Sequence, residues 1–148
     1  MLPIKSRVSV YIPVELQRQI RAHFANCCAY CFTAESLTVT IFEFEHIMPR
    51  SAGGETVFDN LCLACPSCNR YKAYRQTAVD PISEQEVSLF HPQLQLWKEH
   101  FAWSEDATEI IGLTSVGRAT ISALRMNRPQ LTRVRKMWVT MEEHPPNI

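Results

Sequence analysis

The chain has 148 residues, 46% of them apolar, and it balances 15 basic against 15 acidic side chains. That length supports one small core with room for an appendage. The zero net charge excludes a uniformly basic nucleic-acid-binding surface, and no stretch approaches the ~20 apolar residues of a membrane span.

Charge is nonetheless segregated. From Asp80 to Glu109 there are seven acids and one base, Lys98, whereas Ile111 to Ile148 holds six bases and two acids. A local basic face is therefore open to the chain. Met1 to Val14 lacks the basic start and long apolar run of a secretion signal, so a cytoplasmic setting is expected. In a reducing compartment the six cysteines point to metal rather than to disulfides. Their bland alternative is burial as small hydrophobes.

In chain order, residues 1–26 read as an N-terminal arm and helix. The helix is expected over Pro13 to Phe24, with Pro13 near its first turn and Leu16, Ile20 and Phe24 spaced by four for core packing. Residues 27–76 form the cysteine-rich centre. Thr38 to Ile47 is rich in β-branched and aromatic residues and reads as a strand. Pro49 and Gly53-Gly54 break it into a loop. Leu61 to Ala64 reads as a second strand and Pro66 to about Tyr74 as a short helix. Residues 77–96, polar and interrupted by Pro81 and Pro92, read as a linker. Residues 97–148 form a C-terminal extension with a short strand at Glu109 to Leu113. A helix capped by Thr114 or Ser115 follows, with Val116, Ala119, Ala123 and Met126 on one face and Asn127 ending it. Pro129 opens a last helix through Leu131, Val134 and Trp138. The expected fold class is α+β.

The chemistry lies in the centre. Cys28-Ala29-Tyr30-Cys31 and Cys65-Pro66-Ser67-Cys68 are two CxxC pairs separated by 33 residues. Each two-residue gap lets two thiolates reach one ion at about 2.3 Å, so the pairs can close a tetrahedral Zn²⁺ site. Four thiolates leave no open position, which makes such an ion structural and a source of stability. Cys62 forms an alternative CxxC with Cys65, but on a strand it reads as a core-facing side chain. Cys27 is set aside by its spacing to Cys31.

Between the pairs stand Glu45-His46-Ile47-Met48-Pro49-Arg50-Ser51-Ala52-Gly53-Gly54 and Asn60-Leu61, and Asn69 follows Cys68 directly. This string resembles the HNH endonuclease motif in its zinc-bearing form, over Cys28 to about Lys72. Trp103-Ser104-Glu105-Asp106 and Gly112-Leu113-Thr114 also resemble stand-alone HNH proteins of bacteria, cyanobacteria among them. The resemblance implies a ββα-metal (His-Me finger) core and hydrolysis of DNA phosphodiester bonds to 5′-phosphate and 3′-hydroxyl ends. By position, His46 is the general base and Asn60 holds the loop that orients it. Glu45 and Asn69 are the ligands of a catalytic divalent ion.

The chemistry of the residues is compatible with those roles. An imidazole with a pKa near ~6.5 suits proton abstraction at neutral pH. One carboxylate and one amide oxygen favour Mg²⁺ or Mn²⁺. Glu45 and His46 are adjacent, so a bulge or strand end is needed to bring both to one spot. Glu43 shares the face of Glu45 as a supporting partner or a solvated charge. Arg50, Arg70, Lys72 and Arg75 are candidates to grip DNA phosphates, RNA remaining open, against a plain reading as solvated helix charge. Arg118, Arg125, Arg128, Arg133, Arg135 and Lys136 extend that surface or merely solubilise the tail. The competing reading of the chain is a non-catalytic zinc-stabilised module that binds DNA or protein.

Overall fold

The computed structural model describes residues 10–147, so positions 1–9 of the expected N-terminal arm lie outside the described residues. The chain divides into two compact units. One ends at Gln76 and adds His91–Leu94, and the other comprises Thr77–Phe90 and the chain from Gln95 onward.

The first unit opens with helix α1, Val14–His23. Pro13 precedes it with the extended backbone that proline favours ahead of a helix, and Ile20 is its buried contact. Strand β1, Glu43–His46, pairs antiparallel with β2, Leu61–Ala64, in the register Glu43–Ala64, Phe44–Leu63, Glu45–Cys62 and His46–Leu61. Helix α2, Pro66–Lys72, follows after Cys65, whose sulfur accepts the Cys68 N–H as an N-cap. Every residue of β2 is buried. Cys62 is among them and faces Glu45 across the ladder, as a core-facing strand residue should.

The expected strand from Thr38 is shorter in the structure, because only Glu43–His46 has a partner of matching length. Thr38 instead turns the chain through its hydroxyl, which donates to the Glu35 carbonyl, and the Phe42 N–H donates to the Glu35 carboxylate. Val39 and Ile41 are left exposed. β-Propensity without a facing strand does not make a sheet.

In the second unit, β3 (Thr77–Val79) and β4 (Glu86–Ser88) form a hairpin. The stretch expected to link the centre to the tail is thus folded. Its turn is organised by Asp80, whose carboxylate accepts from Ile82 N–H, Ser83 N–H and Ser83 Oγ. Pro81 falls in that turn, where its missing N–H is harmless. A single helical turn, α3 (Trp97–His100), leads into β5 (Phe101–Trp103), which pairs with β6 (Ile110–Gly112).

Helix α4, Ser115–Leu124, is capped by the Thr114 hydroxyl on Gly117 N–H and ends at Arg125 in the left-handed conformation. Asn127 does not end it; its side-chain amide pairs with both the N–H and the carbonyl of Ile110. The buried face of α4 runs through Gly117, Ala119, Thr120 and Leu124; of the expected stripe, Ala119 and Met126 are buried, whereas Val116 and Ala123 are half-buried. Helix α5, Pro129–Thr140, buries Leu131, Arg135 and Trp138. Among the described residues, no helix is long and apolar enough to cross a membrane.

Candidate active site

Four sulfurs converge first. The Sγ atoms of Cys28, Cys31, Cys65 and Cys68 all lie within 4.8 Å of one another, and all four residues are buried. A tetrahedral zinc ion with Zn–S near 2.3 Å separates its sulfurs by about 3.8 Å. Cys31 and Cys65 stand 3.9 Å apart, so the donor set and spacing fit a structural Zn²⁺. The crowded thiols perturb one another in opposite directions: hydrogen bonds from Cys28, Cys65 and Cys68 pull the Cys31 thiol well below its ordinary range, burial pushes Cys28 well up, and hydrogen bonds to its neighbours push Cys68 well up. Cys62 and Cys27 stay outside the cluster. Cys27 turns its sulfur to the Ala25 carbonyl at 3.5 Å.

β1 carries the next layer. Its ladder is regular to His46, without a bulge, so alternate side chains diverge: Glu43 and Glu45 to one face, Phe44 and His46 to the other. On the first face two contacts join strand to helix. Asn69 Nδ2 donates to Glu43 Oε1 at 2.6 Å in an exposed setting. Lys72 Nζ lies 2.9 Å from Glu45 Oε1 in the interior. Glu43 and Glu45 are two apart on a strand, and Asn69 and Lys72 are three apart on a helix, so each spacing keeps its pair on one face.

The expected ligands Glu45 and Asn69 are therefore engaged with different partners. The second oxygen of Glu45 receives the Cys62 thiol at 3.4 Å. Burial, and then the Glu45 charge, push the Cys62 pKa well up, which keeps that thiol protonated and able to donate. Burial, followed by the proximity of Cys62 and then of Glu45, holds the buried Tyr30 phenol well up.

On the other face His46 is half-buried at the strand end. Its Nε2 is 2.8 Å from Thr56 Oγ1. When Nε2–H donates to that hydroxyl, the basic nitrogen of the neutral ring is Nδ1. Asn60 closes the loop between the strands. Its Oδ1 accepts from Met48 N–H at 2.8 Å, and its Nδ2 donates to the carbonyls of Met48 and Glu55. Gly54 permits this closure, since a Cβ there would meet the Met48 carbonyl oxygen at 1.9 Å. Gly53 beside it has φ of +94°, where a side chain is strained.

Of the four cations expected to face phosphate, Arg50 and Arg70 are exposed. Arg75 is half-buried and donates to the Tyr71 carbonyl. Lys72 is 1% exposed, so it reaches protein groups instead of solvent. The tail cations divide as well: Arg135 is wholly buried, and Arg118 forms a two-point contact with Asp80. The sequence reading passed over Thr56, which no spacing betrays. For Lys72 a signal existed: it stands four residues after Cys68, so a helix puts both on one face.

A zinc-suited cluster of four thiols joined to a two-stranded hairpin and a short helix defines an α+β unit consistent with a zinc-binding ββα-metal core. Residues 28–75, about a third of the chain, match the family model described as HNH endonuclease. No curated protein matches the chain.

Proposed function

We propose that the chain is a divalent-metal-dependent endonuclease that hydrolyses phosphodiester bonds in DNA. The observation that carries this reading is His46, half-exposed at a strand end with Nε2 tethered to Thr56, inside a segment that matches the HNH endonuclease family. His46 takes a proton from the attacking water, at Nδ1 when Thr56 holds the Nε2 proton. Asn60 ties the Met48 backbone to the end of the loop, and so keeps the imidazole from drifting. The products are a 5′-phosphate and a 3′-hydroxyl.

The four thiolates would hold zinc as a clamp with no position left for substrate. A hard divalent ion such as Mg²⁺ or Mn²⁺ would be held by Asn69 and Glu43 at the exposed seam of β1 and α2, and the buried Glu45 would reach it only by exchanging Lys72. When bound it would neutralise phosphate charge and stabilise the leaving oxygen. Arg50 and Arg70 supply exposed cations for flanking phosphates. The setting is cytoplasmic, where thiolates stay reduced.

Cleavage of plasmid and single-stranded DNA with Mg²⁺ or Mn²⁺ tests the reading. His46→Ala is expected to lower kcat by about 10³-fold, the scale of a lost general base, and Asn69→Ala to raise the metal concentration needed. Full activity in the His46 variant would overturn the mechanism. DNA binding without cleavage over a broad metal screen would favour the non-catalytic module instead.

A further inference from the structure

Lys72 is a buried cation of the first unit. Its side chain is 2% exposed and that of its partner Glu45 is 1%. An ammonium and a carboxylate withdrawn from water together gain little over apolar side chains of equal volume, so stability alone does not explain the pair. What the ammonium touches does. Nζ lies 2.9 Å from Glu45 Oε1 and donates to the Ile47 carbonyl at 2.8 Å. Those residues come immediately before and after His46. One cation thus holds the chain on both sides of the imidazole.

The same stretch is held elsewhere by Asn60, whose carbonyl accepts the Ile47 N–H at 2.8 Å and whose amide brackets Met48. Lys72 has little latitude of its own. It is the last residue of α2, and the first turn of that helix carries Cys65 as N-cap and Cys68, both members of the sulfur cluster. A lysine suits the position, because three donors on one compact charge can serve a carboxylate and a carbonyl together.

We infer that Lys72 is a positioning residue that transmits the placement of the four-thiol cluster, through α2, to the strand end bearing His46. Its effect on rate rests on the nuclease reading; its effect on the imidazole does not.

The test uses the full zinc-loaded chain, Lys72→Met, and the double variant Glu45→Gln/Lys72→Met. The single variant leaves the buried Glu45 carboxylate without the Lys72 ammonium, so a lower melting temperature is expected. The double variant removes both charges and supplies a folded comparison. Zinc content should stay at wild-type level in each. Nitrogen NMR of the histidine rings, at one neutral pH, should show the His46 signals shifted or broadened in both variants. Those of the other four histidines should stay in place. Lys72→Met should lower kcat about 100-fold, the cost of a displaced catalytic group, with KM and salt dependence held.

Unchanged His46 signals in the double variant would overturn the inference. So would a loss expressed in KM and in a salt slope reduced by about one, which marks a phosphate contact. If the wild type cuts no substrate, the nuclease reading fails while the ring spectra still decide the role of Lys72.

Discussion

The two units both bury a cation, and they satisfy it differently. In the first, Lys72 meets a carboxylate, Glu45, and a carbonyl at the strand end. In the second, the wholly buried Arg135 donates to the carbonyls of Thr108 and Met126 and to Asn127 Oδ1, and its guanidinium lies over the Trp103 ring. The surroundings differ in kind as well. The first unit gathers four thiols beside buried apolar side chains such as Ile20, Phe42, Leu61 and Leu63. The second packs Phe90, Trp97, Phe101 and Trp103 in a chain of ring contacts, with His144 edge-on to Trp103 at 4.5 Å. A four-thiol frame that holds zinc would fix a few side chains in position at the cost of depending on one ion. An aromatic core depends on none.

The contrast can be broken most severely by removing metal. Structural zinc sites are worth about 10–16 kcal/mol in small domains, so chelation with a thiol-reactive probe should unfold the first unit. All three tryptophans, Trp97, Trp103 and Trp138, belong to the second unit, and all four tyrosines to the first. Near-ultraviolet circular dichroism should therefore lose its tyrosine signal while tryptophan emission keeps its wavelength. A red shift of that emission in the same step would show that the units melt together.

Next in size is Arg135→Ala. It deletes a large buried side chain and takes a donor from the Thr108 and Met126 carbonyls, while Asn127 Oδ1 keeps the Ile110 N–H, a loss of about 3–4 kcal/mol. Urea melts followed by tryptophan emission should register it, with zinc content unchanged. A melt indistinguishable from wild type would mean that the buried guanidinium is dispensable to the aromatic core.

Gly54→Ala comes third and acts on the first unit. The added Cβ must push the Met48 carbonyl away, an overpacking cost of about 2 kcal/mol. The Asn60 bracket around Met48 should open, and amide exchange at Met48 and Ile47 should accelerate. Protection equal to wild type would show that the loop absorbs the methyl group.

The smallest effect concerns acid. The Arg118 guanidinium holds the Asp80 carboxyl well below the usual carboxylate range, aided by Ser83 and the Ile82 and Ser83 N–H groups. An unfolded aspartate titrates near about 3.9. As pH falls through that value the unfolded chain takes up the proton first, so the contribution is full above it and fades toward the lower folded value. Asp80→Asn should lower the melting temperature at pH 7 and matter progressively less below about pH 4. An equal deficit at neutral and strongly acidic pH would remove Asp80 from the account of acid sensitivity.

Much of the frame was legible in the residues. Both CxxC pairs could be read as one cluster because two-residue gaps and the strand period leave few ways to arrange the thiols. The helices at Val14–His23, Pro66–Lys72 and Pro129–Thr140 were legible from proline placement and apolar spacing. The hairpin at Thr77–Ser88 was not, since three-residue strands carry too little pattern, and its turn depends on Asp80 meeting Arg118 from far along the chain.

Within the candidate site, the order of Glu45, His46, Asn60 and Asn69 along the chain was plain, and Asn60 does tie the loop. Their partners were not plain. Side-chain type announces what a residue can bond, and local periodicity announces which face it takes. Both are properties of the sequence by itself, and they determined the cysteine set, the α+β class and the position of His46. Whether a lysine meets a phosphate or a buried carboxylate depends on what the fold brings opposite it. Only the tertiary structure placed Lys72 against Glu45 and Ile47, Asn69 against Glu43, and Thr56 against His46. Each of these contacts joins residues distant in sequence, across a register that no local pattern encodes.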